Sequence, residues 1–323
     1  MLIGRISMNQ ILYIIIQLIL IILIAPAVNG VIGKIKAFSQ KRKGPPLLQM
    51  YYDLLKLLKK DVVVSETASW IHCATPYISF ATSTLAAMFF PLTGSLNSIS
   101  FQGDMILAVY ILAVGRFFMT LAALDTGSTF GGMGSSREVL ISSLMEPALI
   151  IVLFTLGLIS GSTSVSDVML KNISDGPLIY NPHVLLIFAS VLIILIAETS
   201  RIPVDDPSTH LELTMVHEAM LLEYSGKYLA LMEMSSAIKQ LIFITLLVNL
   251  FLPLNPSISG LSWPLVFLAG LLVYLLKVLF ISIIVAFIEI LTVKLRFFSV
   301  PNLAAISFAL AFIGFMQYFV IGR

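Results

Sequence analysis

The residues in this sequence that are most able to do chemistry lie in one short polar stretch, residues 198–226. Its acids, its histidines and its single base are Glu198, Asp205, Asp206, Glu212, Glu218, Glu223, His210, His217 and Arg201. Carboxylates and imidazoles this close together can pass protons through intervening water, because burial and neighbouring charges strongly move their pKa values. The stretch therefore predicts a proton-handling site.

The same stretch is predicted to fold as an extended segment followed by a helix. Two prolines keep its first part extended, and Ser208 or Thr209 can cap a helix that begins near His210. On a helix that turns about 100° per residue, Glu212 and Glu223 nearly share a face. A second stripe of the predicted helix consists of His210, Thr214, His217 and Glu218.

Metal and covalent chemistry are less well supported by these residues. His217-Glu218 begins like a zinc-protease helix, but the second ligand would fall at position 221, which is Leu. A metal shared by His210 and His217 stays open as a weaker alternative. No hydrolase elbow and no glycine-rich nucleotide loop is present, so no catalytic, cofactor-binding or metal-ligating residue is predicted.

Further ionisable residues occur within apolar segments, where they normally face the bundle interior, water or a partner. They are Arg116, Glu146, Glu233, Lys239, Lys277 and Glu289. Glu146 precedes Pro147, which removes a backbone hydrogen bond, so the helix is predicted to open locally beside the carboxylate. A hydrated proton site is favoured there, and a simple ion pair with Arg116 is the alternative.

Membrane helices are the elements predicted to position these residues. The chain has 323 residues, of which 59% are hydrophobic and 11% are charged, whereas a soluble domain is about half apolar and about a quarter charged. This composition predicts an all-α polytopic membrane protein and excludes a disordered chain. A net charge of +2 argues against nucleic-acid binding, and one cysteine excludes a Cys-ligated iron–sulfur cluster within the chain.

At about 20 apolar residues per span, the sequence predicts about eight transmembrane helices in a single membrane domain, residues 1–323. The predicted spans are Ile11–Val28, Ile71–Leu92, Met105–Leu124, Val139–Ser160, His183–Ala197, Tyr228–Leu252, Pro264–Val293 and Asn302–Ile321. The predicted cytoplasmic loops cover about 29–70, 125–138, 198–227 and 294–300.

The orientation follows from the distribution of Lys and Arg. Outside the spans, only Arg5, Lys171 and Arg323 fall on the side opposite the long loops. Because basic residues mark cytoplasmic loops, both termini are predicted to lie outside and the long loops to face the cytoplasm. The first span is predicted to be an uncleaved helix, since its charges follow the apolar stretch instead of preceding it.

The first cytoplasmic loop is strongly basic and is predicted to contain an amphipathic surface helix after Gly44-Pro45-Pro46. Its apolar positions at helical spacing are Leu47, Leu48, Tyr51, Leu54, Leu55 and Leu58. Such a helix can anchor to lipid headgroups or provide a docking surface for a peripheral protein, and both interpretations stay open.

Four motifs in order resemble a known family. They are Arg42-Lys43-Gly44-Pro45 with Gln49, Asp53, Lys56 and Leu57; Leu124-Asp125-Thr126-Gly127-Ser128; Gly134-x-Ser136-Arg137-Glu138 followed by Glu146-Pro147; and Glu198-x-x-Arg201-x-Pro203-Val204-Asp205 followed by Glu212-Leu213 and Glu223-Tyr224-Ser225-Gly226. Together they resemble the respiratory complex I subunit 1 superfamily, which includes the membrane anchors of energy-converting nickel–iron (NiFe) hydrogenases and formate hydrogenlyases.

Within that superfamily, the chain is more similar to the hydrogenase-type anchors. Quinone-reducing members are acidic at the positions held here by Ser208 and His210, and they carry Phe where Val204 stands. The run His217-Glu218-Ala219-Met220 is similar to the hydrogenase type. A sulfur-reducing relative, a quinone-reducing complex I subunit and a stand-alone secondary transporter stay open as alternatives, as does a purely structural anchor.

The resemblance implies a non-catalytic subunit of a ferredoxin- or formate-linked, hydrogen-evolving respiratory complex in a prokaryotic cell membrane, which couples redox chemistry to the translocation of H⁺ or Na⁺ through buried carboxylates. The expected partners are hydrogenase large and small subunits, a ferredoxin-like Fe–S subunit and antiporter-like membrane subunits, with the NiFe centre and the Fe–S clusters in those partners. The expected relay comprises Glu138, Glu146, Glu198, Asp205, Glu212, Glu218 and Glu223. Arg137 and Arg201 are expected to tune and hold these acids, and the docking residues are expected to be Arg42, Lys43, Gln49, Asp53 and Lys56.

Overall fold

The computed structural model describes residues 8–92, 100–174, 181–205, 215–252 and 263–321. Over these residues the chain is helical and contains no strand, which confirms the all-α polytopic membrane fold. The helices are α1 Met8–Ser39, α2 Gln49–Leu58, α3 Trp70–Ala87, α4 Asp104–Asp125, α5 Thr129–Ser160, α6 Val165–Ser174, α7 Pro182–Glu198, α8 His217–Leu221, α9 Gly226–Phe251, α10 Trp263–Leu291 and α11 Val300–Ile321, the last preceded by a 3₁₀ turn, Phe297–Ser299.

Six helices in the described ranges are long and apolar enough to cross a membrane, so the predicted count of eight is not confirmed. They are Leu12–Ser39, Asp104–Asp125, Thr129–Ser160, Gly226–Phe251, Leu265–Leu291 and Phe297–Val320. The two other predicted spans coincide with α3 and α7. Helix α7 is apolar but only 17 residues long, and α3 buries the polar residues Thr75, Ser79 and Ser83.

Helix α9 forms the centre of the bundle, with 89% of its apolar window buried. It packs against α1, α2, α3, α7 and α10. Hydroxyl groups join it to two of these neighbours, because Ser235 bonds Ser79 of α3 at 2.7 Å and Thr245 bonds Tyr274 of α10 at 2.7 Å. Small polar contacts of this kind bring membrane helices close together.

The amphipathic helix predicted in the first loop is present as α2, and none of its residues is buried. Its apolar side chains Tyr52, Leu55 and Leu58 are exposed. The hydroxyl of Tyr51 donates a hydrogen bond to the carbonyl of Leu23, which holds α2 against α1. Helix α2 therefore presents a partly apolar surface that the described part of the chain leaves uncovered.

The predicted long helix through His210, Glu212 and Glu223 is wrong at its C-terminal end. Helix α8 begins at His217 and ends at Leu221, and Glu223 lies in the turn before α9. Helix α8 begins at His217 because a carboxylate caps it. Asp205 Oδ2 accepts hydrogen bonds from the backbone N–H groups of Val216 and His217 at 3.0 and 3.2 Å. Residues 206–214, which include Glu212, lie outside the described residues.

The loop after α8 is fixed to the loop between α2 and α3 by close backbone packing. Gly226 has a φ of +52°, and a Cβ built there would lie 2.4 Å from the carbonyl oxygen of Asp61. Ser225 also exchanges hydrogen bonds with the backbone of Val63 at 2.8 and 2.9 Å. Only glycine fits this conformation and this approach, so the two loops are joined at one point.

Candidate functional site

The centre of the site is Glu198, which ends α7 and is held by two cations. Arg116 Nη1 of α4 lies 2.8 Å from Glu198 Oε1, and Lys239 Nζ of α9 lies 2.9 Å from Oε2. The Glu198 side chain is only 5% exposed. Burial disfavours an unpaired charge, but the two cations compensate for this cost. The carboxylate of Glu198 is therefore held in its ionised form.

Arg116 also links the centre to the lateral surface of the bundle. Its Nη2 lies 3.2 Å from Glu146 Oε1, and the Glu146 side chain is 47% exposed. Helix α5 is assigned as one continuous helix through Pro147. The ion pair with Arg116, which was the alternative interpretation, is present.

Glu138 is buried on α5 beside this centre. It shares a cavity of about 40 Å³ with Arg116, Glu198, His217 and Lys239. A water needs roughly 10–15 Å³ of such space, so the cavity has room for about three waters. In the described part of the chain, no cation lies within 4.0 Å of Glu138, so its carboxylate is free to exchange a proton with water.

A second cavity, of about 310 Å³, adjoins the first and contains a different set of acids. Its ionisable lining residues are Arg201, Asp205, His217, Glu218 and Glu233. Thr199, Ser200, His217 and Ser236 line both cavities. The two cavities therefore adjoin at these four residues.

His217 stands at the junction of the two cavities. Its Nε2 is buried and has no hydrogen-bond partner among the described residues. Burial lowers the pKa of His217 from its usual value, while Glu218 and Asp205 act in the opposite direction. The imidazole is therefore neutral at pH 7, and its free nitrogen can accept a proton.

Two further ion-pair sets hold the walls of the second cavity. Glu289 of α10 binds Arg201 at 2.8 Å and Lys36 of α1 at 2.8 Å. Arg201 also donates to Gln240 Oε1 at 2.6 Å and to Asn29 Oδ1. These contacts join α1, α9 and α10 to the segment after α7, so Arg201 sits where several helices meet.

Asp205 forms the other set together with Lys294. Lys294 Nζ lies 2.8 Å from Asp205 Oδ1, and Asp205 is 1% exposed. Its second oxygen caps α8, as described above. The carboxylate therefore fixes the position of α8, and with it His217, beside the cavities.

Arg137 is placed differently from the prediction that it tunes the acids. Its guanidinium donates to the Met215 carbonyl at 2.9 Å, contacts Met133 Sδ at 3.1 Å and lies 5.6 Å from the centre of the Phe297 ring. No carboxylate lies within 4.0 Å of it in the described ranges. Arg137 therefore holds the segment before α8 through contacts with uncharged groups.

The structure brings most of the predicted relay residues together. Glu138, Glu198, Asp205 and Glu218 line one or both cavities, and Glu146 connects to them through Arg116. Glu223 lines neither cavity, and Glu212 lies outside the described residues. Glu233, His217 and Lys239 belong to the site but were not among the predicted relay residues. For Glu233 and Lys239, the signal was their occurrence as ionisable residues within an apolar span.

The predicted docking residues lie on and before α2. Arg42, Lys43, Asp53 and Lys56 are exposed, and Gln49 donates to Asp53 Oδ1 at 3.0 Å. Met50 of the same helix lines the second cavity. The basic loop and α2 are therefore adjacent to the second, larger cavity.

Metal ligands are sparse in the part of the chain that the structure describes. No group of three His, Cys, Asp or Glu residues there is arranged to hold a metal ion, and Cys73 is a free cysteine. The side chains of this site, carboxylates that pair with Arg and Lys beside water-sized space, fit proton and ion-pair chemistry.

Comparison with known proteins gives consistent matches over nearly the whole chain. The family model described as NADH dehydrogenase matches residues 11–319. Hydrogenase-4 component C of Escherichia coli (strain K12) is 34% identical over 299 residues, covering 91% of each chain. Formate hydrogenlyase subunit 4 of the same organism is 28% identical over 308 residues, covering 95% of this chain and 98% of its own.

A solved structure shares the fold. It is that of the membrane-bound sulfane sulfur reductase, an archaeal respiratory membrane complex, in which the matching chain has a TM-score of 0.84 and 22% identity. The match covers 96% of this chain and 99% of that one. The arrangement of helices described above is therefore a known architecture.

Proposed function

The chain belongs to the NADH dehydrogenase family, the complex I subunit 1 superfamily, and on that premise we propose that it is the membrane subunit of a hydrogenase-type respiratory complex. It docks the peripheral arm that carries the nickel–iron and Fe–S centres and couples redox chemistry to H⁺ or Na⁺ translocation. The observation that carries the proposal is the pair of adjoining carboxylate-lined cavities in a chain that is similar to hydrogenase and formate hydrogenlyase subunits over more than 90% of its length.

The proposed relay begins in the larger cavity and ends inside the bundle. Glu218 and Glu233 receive protons from the docking side, and neutral His217 passes them to the small cavity beside Glu138. Glu198 stays ionised between Arg116 and Lys239. A proton that reaches Glu138 therefore changes the net charge of this buried group of residues. Through Arg116 the change is transmitted to Glu146.

Docking is assigned to the basic first loop and to α2. Arg42, Lys43 and Lys56 are exposed on the loop and helix whose Met50 lines the larger cavity, and no described residue covers the apolar face of α2. A peripheral subunit seated there would lie directly above the acids that it has to influence. The distribution of Lys and Arg supports both termini outside and the long loops in the cytoplasm of a prokaryotic cell.

The proposed partners divide the remaining tasks. Hydrogenase large and small subunits and a ferredoxin-like subunit hold the redox centres and accept electrons from reduced ferredoxin or formate. Antiporter-like membrane subunits carry the ion. This division is supported by the chain's single cysteine and by the ion-pair chemistry of its site.

The direct test is to purify the tagged chain from its native membrane in a mild detergent. We expect nickel and iron to co-purify in fixed ratio with chains that contain cysteine pairs, and the preparation to evolve hydrogen. A chain that purifies alone and transports ions by itself in liposomes would contradict the proposal. Transport by the chain alone is the outcome that the stand-alone transporter requires.

A quinone-reducing subunit is the second candidate. The observation that favours it is the size of the larger cavity, about 310 Å³, which falls at the lower end of the range of about 300–1,000 Å³ for small-molecule sites. Quinone-dependent, inhibitor-sensitive electron transfer by the purified complex would establish this candidate. Hydrogen evolution that is insensitive to quinone-site inhibitors would exclude it.

A further inference from the structure

A lysine in the middle of α10 is buried without a counter-charge. Lys277 is the fifteenth residue of this 29-residue apolar helix, and it is only 7% exposed. In the described ranges no carboxylate lies within 4.0 Å of its amine, and no other charged group offsets its burial. Arg116 and Lys239, which also lie within apolar helices, both pair with Glu198. Lys277 is therefore placed differently from the cations of the charged centre.

Lys277 belongs to a buried stripe of α10. Buried residues recur on this helix every three or four positions, which is the spacing of one helix face. The polar members of the stripe are Tyr274, Lys277, Ser282 and Glu289. Because α10 packs against α1 and α9, Lys277 lies where these three helices meet and not on the outer surface of the bundle.

Contacts at two heights show that α9 and α10 run in opposite directions. At one height, Arg201 binds both Gln240 of α9 and Glu289 of α10. Further along the bundle, Thr245 of α9 and Tyr274 of α10 share a hydrogen bond of 2.7 Å. The chain thus approaches Arg201 along α10 and leaves it along α9.

This register places Lys277 at the height of the larger cavity. From the hydrogen bond between Thr245 and Tyr274, Gln240 lies five residues along α9 and Lys277 three residues along α10, in the same direction. At 1.5 Å per residue, their Cα atoms differ in height by only about 3 Å. Gln240 lines the larger cavity, and its Nε2 is buried without a partner among the described residues. The larger cavity therefore reaches the height of Lys277 on the neighbouring helix.

The titratable groups around Lys277 leave it without a partner. Those directed towards the inside of the three helices are Tyr13 and Lys36 of α1, Glu233 and Lys239 of α9, and Tyr274 and Glu289 of α10. Glu289 is held by Arg201 and Lys36, and Glu233 lines the larger cavity. No carboxylate of the described residues therefore neutralises Lys277.

An unpaired amine in this position is suited to accept a proton. Burial of an ammonium group without a counter-ion is strongly unfavourable, so Lys277 rests as a neutral amine with a free lone pair. Such a group selects H⁺ over Na⁺, because hard metal cations prefer oxygen ligands.

We propose that Lys277 is a second proton-binding site of this chain, loaded from the larger cavity in each catalytic cycle. The inference rests on the proposed function, because turnover has to bring protons into that cavity. The proton leaves a carboxylic acid of the cavity, such as Glu233, as a carboxylate and converts the amine of Lys277 into an ammonium group. Release towards the hydroxyl groups of Tyr274 and Thr245 restores the amine. Glu138 remains the coupling residue, and Lys277 adds one proton on the α10 side of the bundle.

Ion uptake by inverted membrane vesicles tests the site, with H⁺ and Na⁺ each counted per hydrogen evolved. Lys277→Met removes the amine, and Lys277→Arg keeps a cation that does not release its proton. We expect both variants to lose about one H⁺ per hydrogen, because one amine carries one proton per cycle, and to keep the wild-type Na⁺ ratio. Ser282→Ala on the same stripe is the matched control and should match wild type, since its hydroxyl bonds the Val278 carbonyl of its own helix.

Two results of this measurement would overturn the inference. A wild-type H⁺ ratio in Lys277→Met would show that the amine carries no proton. A wild-type H⁺ ratio in Lys277→Arg would show that a fixed positive charge is sufficient.

Thermal melting in detergent separates a proton site from a structural cation. Lys277→Met should raise the melting temperature by about 2–4 °C, because an apolar side chain of similar length needs no partner in this position. Lys277→Arg should lower it, because the guanidinium stays charged. A lower melting temperature in Lys277→Met would reveal a structural partner and overturn the inference.

The wild-type vesicles distinguish this inference from the proposed function. Wild-type vesicles that take up Na⁺ but no H⁺ would overturn the inference, while the proposed function stands. Wild-type vesicles that evolve hydrogen and take up neither ion would contradict the proposed function itself.

Discussion

The two ends of the bundle bury polar groups in opposite ways. At one end, Asp104 accepts hydrogen bonds from the Ser164 hydroxyl at 2.9 Å and the Val165 N–H at 2.9 Å, and Asn249 donates to the Pro91 carbonyl at 2.8 Å. We call this the capped end. The other, the charged end, comprises Arg116, Glu138, Glu198, Lys239 and the acids of the larger cavity.

The difference between the ends indicates what each one does. Polar groups at the capped end close a loop onto a helix, and no cavity adjoins Asp104 among those described above. At the charged end, buried ion pairs surround open space, and the nitrogen atoms His217 Nε2 and Gln240 Nε2 have no partner in the described ranges. Unpartnered buried atoms occur in both halves, Gln17 Oε1 and His183 Nδ1 among them, but at the charged end such atoms lie beside water-sized space, which suits proton movement.

The largest expected effect is at the centre of the charged end. Glu198→Gln removes the charge shared by Arg116 and Lys239 and leaves two buried cations with a neutral partner. Breaking a buried ion pair costs about 3–5 kcal/mol, so we expect a strongly lowered melting temperature in detergent. The Glu66→Gln variant, at an exposed loop position, is the control and should melt like wild type. Equal melting temperatures of Glu198→Gln and Glu66→Gln would contradict the claim that buried ion pairs hold the charged end together.

A smaller effect is expected at the capped end. Asp104→Asn keeps one oxygen acceptor for Ser164 or Val165 and exchanges the other for an amide. The loss of one such hydrogen bond costs about 1–2 kcal/mol, and ion translocation per turnover should stay at the wild-type level. A variant that retains its stability but loses coupling would place function at this end as well.

The pH dependence of stability sharpens the comparison at His217. Burial lowers its pKa in the folded state, so below about pH 6.5 the unfolded chain binds more protons and stability falls as the pH falls. His217→Gln should reduce this loss by up to about 1 kcal/mol between pH 7.5 and pH 5.5. Melting temperatures of wild type and variant at the two pH values measure it, and parallel curves would contradict a buried neutral imidazole.

The smallest expected effect is at the docking surface. Lys43→Gln combined with Lys56→Gln removes two exposed charges beside the larger cavity. Each exposed contact is worth about 0.2–1 kcal/mol and is screened by salt, so the peripheral arm should dissociate at a lower salt concentration. Lys171→Gln, in α6 near the capped end, is the control and should leave the dissociation midpoint unchanged. A shift of the control equal to that of the double variant would argue against docking at the first loop.

Much of the fold follows from local pattern. The apolar stretches predict the long helices because each is defined by its own composition, and the spacing of leucines predicts α2 for the same reason. The start of α8 does not follow from local pattern. It depends on the carboxylate of Asp205 capping the backbone eleven positions later in the chain, and no helix propensity encodes that contact.

The sequence predicts which residues form the candidate site, but it does not predict which of them contact each other. Acidic density identifies Glu198 and Asp205, the family resemblance implies Glu138, and an ionisable residue within a span identifies Lys239. Which cation meets which acid depends on how α4, α7 and α9 pack, so the two cations on Glu198 become visible only in three dimensions. Glu289 was likewise recognised as an ionisable span residue, yet its role as a partner of Arg201 and Lys36 had no local signal.

The central claim is that the charged end couples redox turnover to ion movement through Glu138. The most direct measurement is the number of ions translocated per hydrogen evolved by inverted membrane vesicles, compared between Glu138→Gln and the Glu66→Gln control. We predict that Glu138→Gln assembles, evolves hydrogen and translocates at most a small fraction of the wild-type ions per hydrogen, while the control matches wild type. A wild-type ratio in assembled Glu138→Gln complexes would contradict the account.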